Sequence, residues 1–353
     1  MVLLEPELKA KGYRKYIEFA ALCLLAAALI WWFGRKLNWQ EVGHALSTAD
    51  PVLLTVAIVV ISLLYLVRAF RWGALLKPLT PTRLSDLFVA TTIGFSALFL
   101  VGRAGEVVRP VALPMRDRRV TPTAALVTIF IERIYDFMGV ALMFAINLLW
   151  FRPPASLEKY YGWIRGLGIG LVAALLLGIA FLIWFRRNSA TLLDALNRLF
   201  ARWHFIPHRL GQFIIGLLEH LSGALRVLVN AAELAETVGW TALLWLGVAS
   251  ANLLVLRAFH VNLGFSETIF VLGWSMVGSV VPTPGGAAGA FHAATAAALI
   301  FLGVQKETAA ALSIVMHLVD FGPALLFGLF YFIRGDLSIS RLRTMISPAN
   351  AEG

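Results

Sequence analysis

The chain has 353 residues, 59% of them hydrophobic and 14% charged, against roughly 25% charged in an average soluble domain, so a water-soluble globule is excluded. Lys plus Arg number 30 and Asp plus Glu 20, a net charge of +10; in a chain this apolar the excess points to cytoplasmic loops and anionic lipid headgroups rather than to nucleic acid. The single cysteine, Cys23, sits in an apolar run and the seven histidines include no H-E-x-x-H pair, so disulfides and cysteine-based metal sites are excluded, and no metal or cofactor is expected.

A bilayer core of about 30 Å takes roughly 20 apolar residues as helix. Spans are predicted near residues 17–33, 52–67, 123–150, 163–185, 239–259 and 308–333, six crossings in an all-α polytopic membrane protein. The first follows Lys9, Lys11, Arg14 and Lys15 but has no small-residue cleavage site after Trp31-Trp32-Phe33, and is expected to stay as an anchor. Two further apolar stretches are interrupted before they can cross. Residues 87–101 run into Gly102-Arg103-Ala104-Gly105-Glu106, and residues 267–281 into Pro282-Thr283-Pro284-Gly285-Gly286 before resuming at 288–303. Proline removes a helix donor and glycine permits unusual backbone angles, and unwound backbone at membrane depth survives only where protein buries it or it lines a cavity. Two re-entrant hairpins are therefore predicted. Residues 192–226 are too polar to span, yet Leu210, Phe213, Ile214, Leu217, Leu218 and Leu221 share one helical face, the pattern either of an element on the inner leaflet or of a solvated linker helix.

With the N-terminus inside and both hairpins returning to the side they leave, the inner pieces carry 22 Lys/Arg and the outer pieces seven, which obeys the positive-inside rule. The predicted organisation is an anchor helix (1–50), a first membrane repeat (51–150), a connecting span and amphipathic helix (151–237), a second repeat (238–335) and a cytoplasmic tail (336–353). The repeats align without a gap at an offset of 184: Gly94 falls on Gly278, Gly102 on Gly286, Gly105 on Gly289, Arg133 on His317 and Asp136 on Asp320. Because the two repeats run in opposite directions in this layout, they form an inverted pair, a transporter architecture with broken helices meeting near the midplane.

Ionisable groups at membrane depth cost at least about 2.5–3.5 kcal/mol each, so each requires a partner or a function. In the first hairpin Arg103 and Arg109, with Glu106 to orient one guanidinium, offer forks of donors matched to a phosphate headgroup; the alternative is a snorkelling Arg109 beside an Arg103–Glu106 pair. Glu132, Arg133 and Asp136 share one face or its edge, Arg133 with Asp136 being the simplest buried pair, which leaves Glu132 to find a cation in Arg103 or Arg109. In the second hairpin Thr283, Gly285, Gly286 and His292 supply hydrogen bonds without fixed charge. His317 and Asp320 form either a satisfied core contact or a proton-coupled site.

Gly102-Arg103-Ala104-Gly105-Glu106-Val107-Val108-Arg109, Glu132-Arg133-Ile134-Tyr135-Asp136 and Pro282-Thr283-Pro284-Gly285-Gly286, in this order over residues 50–335, resemble the membrane region of the lysylphosphatidylglycerol synthases, a flippase-like family. The resemblance implies an inner-membrane protein that moves, or helps move, an anionic phospholipid or a polyprenyl-phosphate-linked intermediate between leaflets. Members with a soluble transferase domain also aminoacylate phosphatidylglycerol; the chain ends at Gly353 without room for it, so that activity is not expected. The family usually carries a glutamate after the Pro-Gly-Gly break, where this chain has Phe291-His292. With no G-x-x-x-x-G-K-[ST] loop, ATP is not the expected driver. Two other readings compete: an intramembrane enzyme on a lipid phosphate with Glu106 or Glu132 as base, which lacks a nucleophile–base pair or metal cluster, and a non-transporting partner of a lipid synthase.

Overall fold

The computed structural model describes residues 37–189, 231–281 and 284–334, with Trp31 and parts of 191–198. The predicted anchor at 17–33, most of the amphipathic segment 192–226 and the tail 336–353 lie outside the described residues. Ten helices follow in order: α1 Trp39–Ser47, α2 Pro51–Leu76, α3 Leu84–Val101, α4 Val108–Arg116, α5 Pro122–Trp150, α6 Tyr161–Arg187, α7 Ala231–Ala258, α8 Phe265–Ser279, α9 Pro284–Phe301 and α10 Lys306–Ile333. No strand occurs among the described residues. Helix starts follow ordinary capping chemistry. Asp50 caps α2 by accepting from the N–H groups of Val52 and Leu53, with Pro51 in the first turn, and Thr121 with Pro122 does the same for α5, each side chain satisfying donors that the helix leaves open.

Five of these helices are long and apolar enough to cross a membrane: Pro51–Leu76, Leu84–Val101, Tyr161–Gly178, Ala232–Ala258 and Lys306–Ile333. Helix α5, at 29 residues, is longer than any of them, but Glu132, Arg133 and Asp136 lower its apolar character. Helix α2 runs nine residues past the predicted span end at 67 and takes Arg68 and Arg71 inside it. Arginine is a good helix former, and the helix continues because the carboxylates of α5 receive Arg71 while Arg68 lies against the Tyr65 and Phe95 rings.

Both interrupted stretches turn back. After α3, Gly102 adopts a positive φ of 69° and Gly102–Val107 forms a 3-10 turn leading into α4. Gly94 in α3 then lies under the Arg109 side chain of α4, and Asp86 near the start of α3 meets Arg116 at the end of α4 at 2.9 Å. Both ends of the hairpin are therefore on one side. In the second, Gly285, Gly286 and Ala287 all take left-handed angles before α9 becomes regular, Gly278 packs on Ala290 and Ala294, and Ser275 Oγ is 2.7 Å from Thr295 Oγ1.

The two halves are inverted. Phe70 stacks on Trp240, Leu64 lies on Gly247 and the Asp50 N–H donates to the Ala258 carbonyl, so advancing along α2 means retreating along α7. The remaining contacts exchange in the same way. Hairpin helix α3 packs on α10, where Ser96 donates to the Ala324 carbonyl at 2.6 Å, and hairpin helix α8 packs on α5, where Asn147 donates to the Ser266 carbonyl at 2.9 Å and accepts from its hydroxyl at 2.8 Å. Replacing Asn147 with leucine removes both bonds and leaves the Ser266 hydroxyl without its acceptor, so the thermal midpoint in detergent is expected to fall by an amount equivalent to about 1–3 kcal/mol; an unchanged midpoint would contradict this docking of the second hairpin.

Candidate functional site

The hairpin tips meet around the middle of α10. Gly286 stands where an added Cβ would lie 3.0 Å from His317 Nε2 and 3.4 Å from Phe99, Phe99 being near the end of α3. Phe99 also packs on His317 and Phe321. These contacts fall about three turns in from either end of α10, so the broken tips occupy the centre of the bundle.

One side of this centre is cationic. Glu132 is completely buried and serves three arginines: Arg109 through two bonds of 2.8 and 3.0 Å, Arg133 at 3.0 Å and Arg71 at 3.4 Å. The Arg109 fork is therefore spent on a carboxylate of α5, and its guanidinium carbon lies 4.3 Å from the Trp72 ring centre; Trp72 is itself anchored by donating to Thr128. Asp136 accepts from Arg71 at 2.6 Å and from the Trp245 indole at 3.2 Å, and Arg133 approaches its other oxygen at 3.5 Å. The expected Arg133–Asp136 pair is thus present as a longer contact, and Arg71 is the shorter partner. Arg71 also donates to Thr241, which ties α2, α5 and α7 together across the two halves.

Phe95, one helical position past Gly94, is the hub. Tyr65 meets it edge-on, and the guanidinium carbons of Arg68, Arg133 and Arg109 lie 4.7, 5.5 and 5.7 Å from its ring centre. Aromatic faces hold guanidinium groups favourably, more so where water is scarce.

The other side is neutral. His292 Nε2 and His317 Nδ1 are 3.0 Å apart; one must donate and the other accept, so at least one ring is uncharged in this arrangement. Phe291 stacks on His317. Asp320 is not bonded to His317: its backbone carbonyl accepts from Tyr65 at 2.8 Å, and its buried Oδ1 has no partner.

Among the candidate residues from the sequence, Arg109, Glu132, Arg133 and Asp136 come together in one network, and Gly286, His292 and His317 in a second. Arg103 lies in the 3-10 turn, Gly285 in the left-handed stretch at the start of α9, and Glu106, half-buried, makes no ion pair among the described residues. Thr283 lies outside the described residues. Arg68 and Arg71 were missed because the apolar run stops at Val67. The signal for them was phase: Ala57, Ile61, Leu64, Tyr65, Ala69, Trp72 and Leu76 form one buried stripe on α2, and Arg68 and Arg71 are spaced to meet its edges. No cluster of three or more His, Cys, Asp or Glu suited to a metal occurs among the described residues. Outside the spans, in the loop after α4, hydrogen bonds from Arg119 hold the Asp117 carboxyl below its usual range.

These features define a polytopic helical membrane protein built from two inverted repeats, each with a broken re-entrant hairpin, around an arginine-rich centre. The chain belongs to the family described as lysylphosphatidylglycerol synthase TM region, whose model matches residues 19–328. No curated protein matches it. Membership ties the chain to membrane lipids.

Proposed function

We propose that the protein is a flippase-like transporter that moves a lipid with an anionic headgroup, a phospholipid or a polyprenyl-phosphate-linked intermediate, between the leaflets of a bacterial or archaeal inner membrane, with both termini cytoplasmic. The observation that carries this reading is the meeting of two oppositely facing broken hairpins beside a cluster in which Arg71, Arg109 and Arg133 outnumber Glu132 and Asp136. Inverted halves can open the same centre to alternate sides, and a surplus of positive charge at membrane depth favours an anion there. Arg109 brings a charge from the first hairpin, and Gly286 and His292 of the second stand against His317 without fixed charge; Arg103, Glu106, Thr283 and Gly285 are proposed to complete the binding site. The protein is proposed to be a carrier, not an enzyme, and to work alone or beside a lipid synthase.

The test is movement of labelled phosphatidylglycerol in vesicles containing the purified protein, read as the fraction of label reached by a membrane-impermeant quencher. Quenching is expected to pass the one-leaflet limit seen in protein-free vesicles. The same limit in both would overturn transport, and release of a headgroup or a modified lipid in the vesicles would favour the enzyme reading.

A further inference from the structure

Of the four arginines described at the centre, Arg71 and Arg109 are engaged by buried carboxylates, whereas Arg133 is only partly engaged and Arg68 makes no ion pair among the described residues. Arg109 gives both terminal nitrogens to Glu132, and Arg71 is completely buried between Asp136, Glu132 and Thr241. Arg68 differs. It is half-buried, makes no hydrogen bond or ion pair among the described residues, and its guanidinium carbon lies 5.7 Å from the Tyr65 ring centre and 4.7 Å from that of Phe95. A contact with an aromatic ring offers no hydrogen-bond acceptor lone pair, so the donor fork of this guanidinium is not taken up by an oxygen. Arg133 shares the same ring, keeps a third of its side chain exposed and makes only one short bond, to a carboxylate already shared by two other arginines. Phe130 and Phe137, about one turn to either side of it on α5, are among the most exposed hydrophobic side chains of the helix, so Arg133 borders the face that α5 turns to lipid.

Charge accounting points the same way. Among the described residues Arg68, Arg71, Arg109 and Arg133 face Glu132, Asp136 and Asp320, whose Oδ1 has no hydrogen-bond partner there, so these four cations outnumber these three carboxylates by one even with every carboxylate ionised. A phosphodiester carries one negative charge and two free oxygens for two donor forks.

We propose that Arg68 and Arg133, gathered on Phe95, are the pair that takes the phosphate, and that Arg109 acts on it at one remove, as a positioning residue that fixes Glu132 and through it Arg133. This rests on the lipid reading above and names its contact residues. The shared chemistry is a phosphate monoanion, borne by a lipid headgroup or by a free phosphate ester.

The experiment is native mass spectrometry of the detergent-purified full chain titrated with phosphatidylglycerol or phosphatidylcholine. The parent is expected to prefer phosphatidylglycerol, and Arg68→Gln and Arg133→Gln to lose about tenfold or more of that preference, as for loss of a charge-assisted bond. The control Arg119→Gln, at an exposed loop pair, is expected to behave as the parent. Arg68→Lys keeps the charge but loses the fork, so it should show a smaller loss at an unchanged thermal midpoint and stands in if Arg68→Gln does not fold. Parent-like preference in both Arg68 variants would overturn the proposal. Displacement by millimolar glycerol phosphate or inorganic phosphate identifies a free phosphate as the occupant, and resistance to both identifies the lipid. If the parent fails to move lipid in vesicles yet the variants lose binding, transport falls and the site stands; if the parent moves lipid and the variants bind as the parent does, the site falls and transport stands.

Discussion

Replacing Glu132 with leucine is expected to destabilise the protein more than any other single change in the charge cluster. The carboxylate is fully buried and accepts from Arg109 and Arg133 while lying 3.4 Å from Arg71. Without it, three guanidinium groups are left with Asp136 alone, and breaking a buried pair by removing one partner costs about 3–5 kcal/mol because the remaining charge is stranded. The expected readout is a lower thermal midpoint with aggregation on gel filtration. A second measurement separates electrostatics from packing: adding Arg109→Met to the Glu132→Leu chain removes one stranded cation, and part of the lost stability should return. If the double variant is worse than Glu132→Leu by the full cost of Arg109→Met alone, the two side chains are not coupled and the network as described is wrong.

The second large effect concerns Gly105. A Cβ at this position would stand 2.3 Å from the Ala97 carbonyl carbon and 2.4 Å from the Leu98 nitrogen. These are backbone atoms of α3, which no rotamer change can move, so Gly105→Ala must lift the 3-10 turn away from the helix it folds against. Overpacking costs typically 1–3 kcal/mol where side chains can adjust, and here they cannot, so the loss is expected at or above the upper end of about that range. Lipid movement should be lost with it, because the turn carries Arg103 and leads directly to Arg109. Gly43, with nothing within 4 Å of an added Cβ, provides the comparison, and Gly43→Ala should leave the midpoint unchanged. Equal midpoints for the two variants would mean that the first hairpin does not close as tightly as described.

Together these changes probe different parts of one device. Gly105 allows the chain to return along itself, Glu132 gathers the arginines that the return delivers, and Phe95 gives them a surface to rest on. The second hairpin repeats the turn with different means: left-handed Gly285 and Gly286 in place of a single positive φ at Gly102, and hydroxyl and imidazole contacts in place of ion pairs. The shared backbone plan and the divergent side chains explain why the 184-residue offset matches glycines on both sides but sets Arg133 opposite His317.

The class of the molecule, the two helix breaks, their repetition and the presence of Glu132, Arg133 and Asp136 at membrane depth were legible in the amino-acid order alone. Each of these is local: apolar length, the conformational freedom of glycine, the missing donor of proline and the helical spacing of neighbours all act within a few residues. The pairing of these charges is settled by packing. The sequence offered Glu132 a cation in Arg103 or Arg109, and the fold brings Arg109 to it across 23 residues, whereas Arg71 reaches Asp136 across 65 residues, a pairing with no signal in the periodic pattern. The same holds for Arg68, which reads as the first residue of a loop until α5, α3 and α10 are placed around it. A charge in a membrane is defined by its neighbours, and those neighbours are brought by packing, which the linear order of residues does not specify.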